Sequence, residues 1–256
     1  MSVPQGTLDD PVHVLWTGGW DSSYRIIWLM HHSDAVVQPW YAIDEMRNSI
    51  GREVSAMRRI REQLAERDAR FGSRILPTRF QPREQIPPNP EVSQQYQRLS
   101  ERMRVGTQYS YLGRFARSLG ITLELSMHDK GHGLGKAVYP HTEPVETPYG
   151  RVLRLRADAP PLLDLFRPYV FPLLGLSKRE MGQEARRSGY DHLLELTWFC
   201  HTPRNGRPCG RCRPCQQVIQ GGMHHRMPLT SQVLGQLRFW RRSVKSLFTG
   251  HHASKP

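Results

Sequence analysis

No stretch of this chain reaches the roughly 18–20 consecutive apolar residues that a membrane-spanning helix requires, so a bilayer span is not expected. The opening segment, Met1 to Asp10, lacks a basic start followed by an apolar run. No secretory signal is therefore expected, and the expected location is cytoplasmic. Acidic residues are scarce relative to basic ones: 23 Asp and Glu stand against 36 Lys and Arg, which leaves a net charge of +13 and a pI near 10.1. Such an excess favours anionic partners, whether nucleotide phosphates, nucleic acid or an acidic protein face, although a solvated basic surface has the same composition. Cysteine is rare too, and its four copies fall between Cys200 and Cys215. Crowding of that kind argues for a metal rather than disulfides. The rest is ordinary. With 256 residues and 38% hydrophobic content, the chain suits one large domain, or one domain with an appendage.

Short apolar runs alternate with helical periodicity, which predicts an α/β fold, a doubly wound parallel sheet. Val12 to Trp16 reads as the first buried strand, Asp21 to His31 as a helix, Val36 to Ile43 as a second strand and residues 48–70 as a charged amphipathic helix. Arg74 to Phe80 reads as a third strand, and the proline-rich Gln81 to Pro90 as a loop. Helical pattern resumes near Val92 and runs, with a break, to Leu119, where Gly120 supplies a C-cap. Ile121 to Met127 reads as a strand, and residues 129–161 as a long loop with a hairpin near Tyr149-Gly150. After the apolar run Tyr169 to Leu174, Ser177 and Glu180 have the spacing of a capping box. A last amphipathic helix is predicted over about Ser231 to Phe248. Residues 1–190 are taken as a nucleotide-binding α/β domain and 191–256 as a cysteine segment followed by a C-terminal helix.

The first segment with chemistry in it is Thr17-Gly18-Gly19-Trp20-Asp21-Ser22-Ser23, between a predicted strand and a predicted helix. Glycines let the backbone turn tightly and approach a ligand. The free amides of the following helix start, aided by its dipole, face an anion. Thr17, Ser22 and Ser23 add hydroxyls. No lysine follows, so this is not the loop of most nucleotide triphosphatases, and it is not the dinucleotide fingerprint. A plain strand–turn–helix with Asp21 as N-cap is the structural alternative.

The second segment is Cys200, Cys209, Cys212 and Cys215. Four thiolates on a tight knuckle supply a tetrahedral site with no open position, which is the signature of a structural zinc ion. An iron–sulfur cluster uses the same ligands, and His201 is a rival to Cys200.

The loop resembles the Ser-Gly-Gly-x-Asp-Ser loop of the PP-loop ATP pyrophosphatases, with threonine for the first serine. Together with the cysteine spacing, the segment Phe171 to Met181 containing Ser177-Lys178-Arg179-Glu180, and Cys209-Gly210 with Pro214-Cys215, it resembles the QueC family of 7-cyano-7-deazaguanine (preQ0) synthases over residues 12–219. The resemblance implies an ATP-dependent, C–N bond-forming ligase. It would adenylate a 7-deazaguanine-type carboxylate, with release of pyrophosphate, before an amine attacks. It also implies ATP, Mg²⁺ and structural Zn²⁺ as cofactors, and a homodimer. Asp21 is then expected to help hold magnesium, and Asp21 and Lys178 are the catalytic candidates; Lys178 as a surface residue at a helix start is the alternative. The family's Tyr-Pro-Asp-Cys and Pro-x-Arg-Asn segments are missing. Arg104 to Tyr109 stands in place of the second, and His128, Asp129 and His132 are the substrate-contact candidates.

Because the base-recognition half differs, the acceptor amine need not be ammonia. QueC-like proteins of anti-phage defence operons suggest a protein amine as an alternative acceptor. Two other classes compete: a tRNA-modifying PP-loop enzyme, which would need a reactive cysteine beyond the four, and a zinc-ribbon nucleic-acid binder. Nucleic acid is the less favoured partner of these readings.

Overall fold

A computed structural model of the chain describes residues 11–128 and 133–237. It comprises two compact units: Met1–Glu45 with Val54–Thr197, and Met46–Glu53 with Trp198–Pro256.

The larger unit contains β1 (Val12–Leu15), α1 (Trp20–His32), β2 (Val37–Ile43), α2 (Ile50–Arg67, its first turn assigned to the smaller unit), α3 (Ala69–Arg74), β3 (Arg79–Pro82), α4 (Pro90–Arg102), α5 (Gln108–Leu119), β4 (Leu123–Glu124), α6 (Gly133–Val138), β5 (Thr142–Thr147), β6 (Gly150–Leu155), β7 (Tyr169–Phe171), α7 (Lys178–Arg187) and α8 (Asp191–Leu194). The strands form one seven-stranded sheet in the order β3-β2-β1-β4-β7-β6-β5. Neighbours from β3 to β7 run parallel, whereas β6 is antiparallel to both β7 and β5. The architecture is thus α/β around a mostly parallel sheet.

Both sheet faces are covered, as parallel strands require. On one face Leu15 of β1 and Leu123 of β4 join Val92 and Leu99 of α4 and Phe115 of α5 in a buried cluster. On the other face, Glu124 of β4 meets Arg25 of α1. Helix α1 buries Ile26, Ile27, Leu29 and Met30, the apolar set its sequence advertises. Local signals set the helix ends. Asn89 accepts from the Val92 amide, with Pro90 in the first turn of α4. Gly120, at φ 63°, ends α5 in the left-handed region. Ser177 and Glu180 complete a reciprocal capping box on α7.

Several expected boundaries move. The third strand is Arg79–Pro82, because residues 69–74 continue helical as α3, capped by Asp68. Regular pairing of the strand expected at 121–127 is confined to Leu123–Glu124. Leu125 still donates to Val170, but Met127 donates back to Leu125, so the chain turns out of the sheet there. The long loop expected over 129–161 contains α6 and the β5–β6 hairpin, which turns between Thr147 and Gly150. Gly150, at φ 96°, makes that turn possible. Its outer strand β5 carries cross-strand ion pairs, Glu143 with Arg154 and Glu146 with Arg151, which suits an exposed sheet edge.

The smaller unit holds the cysteine segment, α9 (Arg213–Gln220) and a helical stretch over residues 229–237. The remainder of the C-terminal helix expected to reach Phe248 lies outside the described residues. Among the described residues, no helix is long and apolar enough to cross a membrane.

Candidate active site and metal centre

In the larger unit, β1 sits between β2 and β4. The chain leaves β1 toward β2 and later returns to the other side of β1 as β4. At such a topological switch point a crevice opens beyond the carboxyl ends of the strands, and open α/β sheets bind ligands there. The segment that follows β1 is the glycine loop, and the segment that follows β4 holds Ser126 and His128.

The loop is braced from within. Gly18 has φ 63°, a conformation that penalises any side chain. Gly19 is the N-cap of α1, without a side-chain cap. The first helical bond runs from the Ser23 amide to the Gly19 carbonyl, so the amides of Trp20, Asp21 and Ser22 precede the helix ladder and face outward from its start. Asp21 is therefore a first-turn residue and not the N-cap. Ser23 is fully buried, and its hydroxyl accepts from the Trp16 indole at 2.9 Å. The Ser22 hydroxyl accepts from the Thr17 amide at 3.2 Å and lies 3.3 Å from the Thr17 hydroxyl. These two serines fix the turn, while Thr17 is exposed. Trp16 is wholly buried as core. Trp20 stacks on Tyr24 at 5.8 Å with rings nearly parallel.

Two distant segments converge on Asp21. Lys178, at the first position of α7, brings its Nζ to 3.2 Å from Asp21 Oδ1 and lies 5.3 Å over the Trp20 ring. His128, beyond β4, brings Nε2 to 3.7 Å from Asp21 Oδ2. Among the described residues, the buried atoms Asp21 Oδ1, Ser126 Oγ and His128 Nδ1 have no hydrogen-bond partner. Buried polar groups are nearly always satisfied. Asp21 Oδ1 has the Lys178 ammonium as its ion-pair partner, and the two remaining orphans, Ser126 Oγ and His128 Nδ1, mark a place that a polar ligand could fill. Tyr109, from the segment that departs from the QueC pattern, lies within reach of the Asp21 field. Burial pushes its phenol up, a hydrogen bond with Gln108 opposes this, and the Asp21 charge adds to the rise. Asp129 and His132 lie outside the described residues.

One pair that the sequence reading missed supports this crevice from below. Arg25 of α1 donates to both oxygens of Glu124 in β4, at 2.7 and 2.6 Å, with both side chains buried. This bidentate fork ties the helix that carries Asp21 to the strand that leads to His128. The available signal was Glu124, the one charged residue in the alternating stretch Ile121 to Met127.

In the smaller unit, the thiols of Cys200, Cys209, Cys212 and Cys215 all lie within 4.8 Å of one another, with Sγ separations of 3.4 to 3.9 Å for three of the pairs. A tetrahedral zinc ion with Zn–S near 2.3 Å needs sulfurs about 3.8 Å apart. The donor set fits a closed structural site for an ion such as zinc. His201 is exposed and is not part of the group. Backbone amides of Arg211 and Cys212 donate to Cys209 Sγ at 3.4 and 3.3 Å, and that of Cys209 to Cys200 Sγ at 3.2 Å. Hydrogen bonding with Cys200 and Cys215 holds Cys212 well below the usual thiol range, while hydrogen bonding with Cys200 and Cys212 pushes Cys215 far up. Burial would raise Cys209, but Thr202 and the two amides lower it instead. Gly210, at φ 71°, shapes the knuckle, and a Cβ there would meet the Ser231 carbonyl oxygen at 2.0 Å.

Comparison with models of protein families finds no match, and comparison with characterised proteins finds none.

Proposed function

We propose that the larger unit binds ATP at the β1–β4 switch point and cleaves it between the α- and β-phosphates to activate a carboxylate. The observation that carries this reading is the convergence of Lys178 and His128 on Asp21 at a glycine loop that has no lysine of its own, with Ser126 Oγ and His128 Nδ1 left unpartnered among the described residues. Loop amides and Lys178 offer positive groups to phosphate oxygens. Asp21 is the carboxylate that would hold Mg²⁺, an ion usually bound through one or two carboxylates plus substrate phosphates. When bound, that ion supplies charge neutralisation.

The chemistry follows from the weakness of carboxylates as electrophiles. The substrate carboxylate attacks the α-phosphorus, the bond to the bridging oxygen breaks, and pyrophosphate leaves. An amine then attacks the acyl carbon and AMP departs. The protein's contribution is alignment of the reactants and stabilisation of charge on the phosphates. The QueC resemblance supports a 7-deazaguanine-type carboxylate. Replacement of the family's recognition segments by Arg104 to Tyr109 and by the stretch from His128 supports a different acceptor, a protein amine in the defence-type reading.

The test is incubation with ATP, Mg²⁺ and 7-carboxy-7-deazaguanine, with AMP and pyrophosphate as the readout and ammonia or candidate proteins added in turn. Asp21→Ala should abolish AMP formation while leaving zinc content unchanged. Release of ADP and phosphate by the wild type would reject the proposed bond cleavage.

A further inference from the structure

The positive charge is not spread along the chain. Residues 197–256 contain ten lysines and arginines and no aspartate or glutamate, so ten of the net thirteen charges fall in the last 60 residues. In the described part of the smaller unit the single acid is Glu53, which is buried and held by Ser49 and Arg47. A solvated surface normally intersperses both signs. A zinc ion with four thiolates carries a net charge of −2, which about two nearby cations would balance. The described residues from Arg204 to Arg226 alone supply five arginines.

Arg226 and, from the other segment of the unit, Arg52 lie over aromatic rings beside these arginines. Arg204 and Arg207 close a tight turn by reciprocal backbone bonds of 3.0 and 2.9 Å, with Asn205 at φ 48° and Gly206 at φ 72° between them. A Cβ at Gly206 would lie 2.0 Å from Arg52 Nη2, so the Arg52 guanidinium rests against the turn. Arg52 lies 5.8 Å over the Trp198 ring, Trp198 stacks on Phe199 at 6.1 Å and 21°, and Arg226 lies 5.3 Å over Phe199. The sequence across the surface is arginine turn, Arg52, Trp198, Phe199, Arg226. Beside the turn a recess of about 440 Å³ is lined by Arg204, Asn205, Arg207, Thr230 and Ser231, among others. Arg204, Arg207 and Arg213 are exposed, and their side chains make no hydrogen bond or ion pair among the described residues.

We infer that this face of the zinc unit binds a single strand of nucleic acid. Phosphates lie on the Arg204–Arg207 turn and Arg213, and bases lie against the arginine–aromatic ladder. Single-strand binders combine a basic track with stacking planes, and arginine serves both, since its flat guanidinium pairs with phosphate and stacks on rings. An acidic protein would meet only the charge, whereas a single strand would also extend the Arg52–Trp198–Phe199–Arg226 stack. The inference rests on the smaller unit alone and requires no ATP, so it stands or falls separately from the proposed reaction.

The experiment uses the full zinc-loaded chain and fluorescence anisotropy with a labelled oligouridylate of about 20 nucleotides, at salt between about 50 and 300 mM. Binding should weaken linearly in log–log form. Each phosphate lost removes about 0.7 from a single-strand slope, so R204A/R207A/R213A should reduce the slope by about 2. Its affinity at low salt should fall at least tenfold, with zinc content unchanged. Phe199→Leu should weaken binding about tenfold with the wild-type slope, as loss of stacking does. Absence of binding at the lowest salt, or a triple variant with wild-type affinity and slope, overturns the inference. Displacement by polyglutamate of equal charge, as potent as displacement by unlabelled oligouridylate, overturns it in favour of an acidic protein.

Discussion

Breaking the Arg25–Glu124 fork from one side should damage the larger unit far more than removing it whole. The two side chains are 4% and 6% exposed and share hydrogen bonds of 2.7 and 2.6 Å. With charge centres about 4 Å apart and an effective dielectric near 20, their attraction is about 4 kcal/mol. Glu124→Leu leaves the Arg25 guanidinium buried beside the Trp28 ring without a counter-charge, and such single removals cost about 3–5 kcal/mol. Replacing both, as R25M/E124L, removes the desolvation penalty along with the attraction and should cost under about 1.5 kcal/mol. Urea unfolding of the wild type, both single variants and the double variant gives the coupling directly, because the residues touch and cannot be additive. A coupling below about 1 kcal/mol would refute the argument that a desolvated fork anchors α1 to β4. Since α1 carries Asp21 and β4 leads to His128, the double variant also separates stability from function. It should fold, yet lose nucleotide affinity if the fork sets the crevice.

Four further outcomes are expected. Cys215→Ser, or zinc chelation, should unfold the smaller unit while the larger keeps its urea transition, because the core around the metal is chiefly the cysteines themselves with Val218 and Met227; two-dimensional NMR or limited proteolysis reads this. Gly18→Ala should destabilise by about 1–2 kcal/mol, the cost of a left-handed alanine, and weaken ATP binding measured by calorimetry. Lys178→Met should raise the KM for ATP and leave folding intact, since Lys178 is 40% exposed. Burial, with Arg67 and other cations adding, depresses His31 to about 4 from 6.5. The unfolded chain therefore binds the extra proton: stability is full above pH 6.5, is lost as pH falls toward 4, and differs by at most about 2 kcal/mol between pH 7.5 and 5. Histidine 31 replaced by phenylalanine, His31→Phe, should flatten that slope in urea titrations.

What could be read from the sequence follows the range of each interaction. The loop, the capping box of α7, the C-cap at Gly120 and the four thiols are local patterns, and the coordinates place each where its spacing requires. Strand limits depend on neighbours. Ile121 to Met127 has strand composition throughout, but only Leu123 and Glu124 pair regularly, because the chain turns away once Met127 bonds back to Leu125. The turn of the β5–β6 hairpin was legible at Tyr149-Gly150, but the extent of its strands was not, because glycine and proline counts fit a loop equally well. The Arg25–Glu124 pair joins residues 99 positions apart and has no local signature. The proximity of Lys178 to Asp21, which the resemblance had grouped as catalytic candidates, has no local signature either, since it arises from the parallel placement of β7 beside β4.

That placement explains how a glycine loop without lysine need not be a loop without a cation. In the Gly-x4-Gly-Lys design, one short segment supplies both the amides and the charge. Here the amides come from the start of α1, and the ammonium comes from the start of α7, beyond β7. A lysine at a helix N-terminus opposes the helix dipole. The nearby Asp21 carboxylate, at 3.2 Å, offsets that cost, as does the Trp20 ring face. A bound polyphosphate would offer Lys178 a stronger anion than Asp21 and release the carboxylate for a metal ion. Under the proposed function, the ion pair between Asp21 and Lys178 would be the resting arrangement of two groups that separate when phosphates enter. This accounts for a positive charge kept where the backbone alone disfavours it.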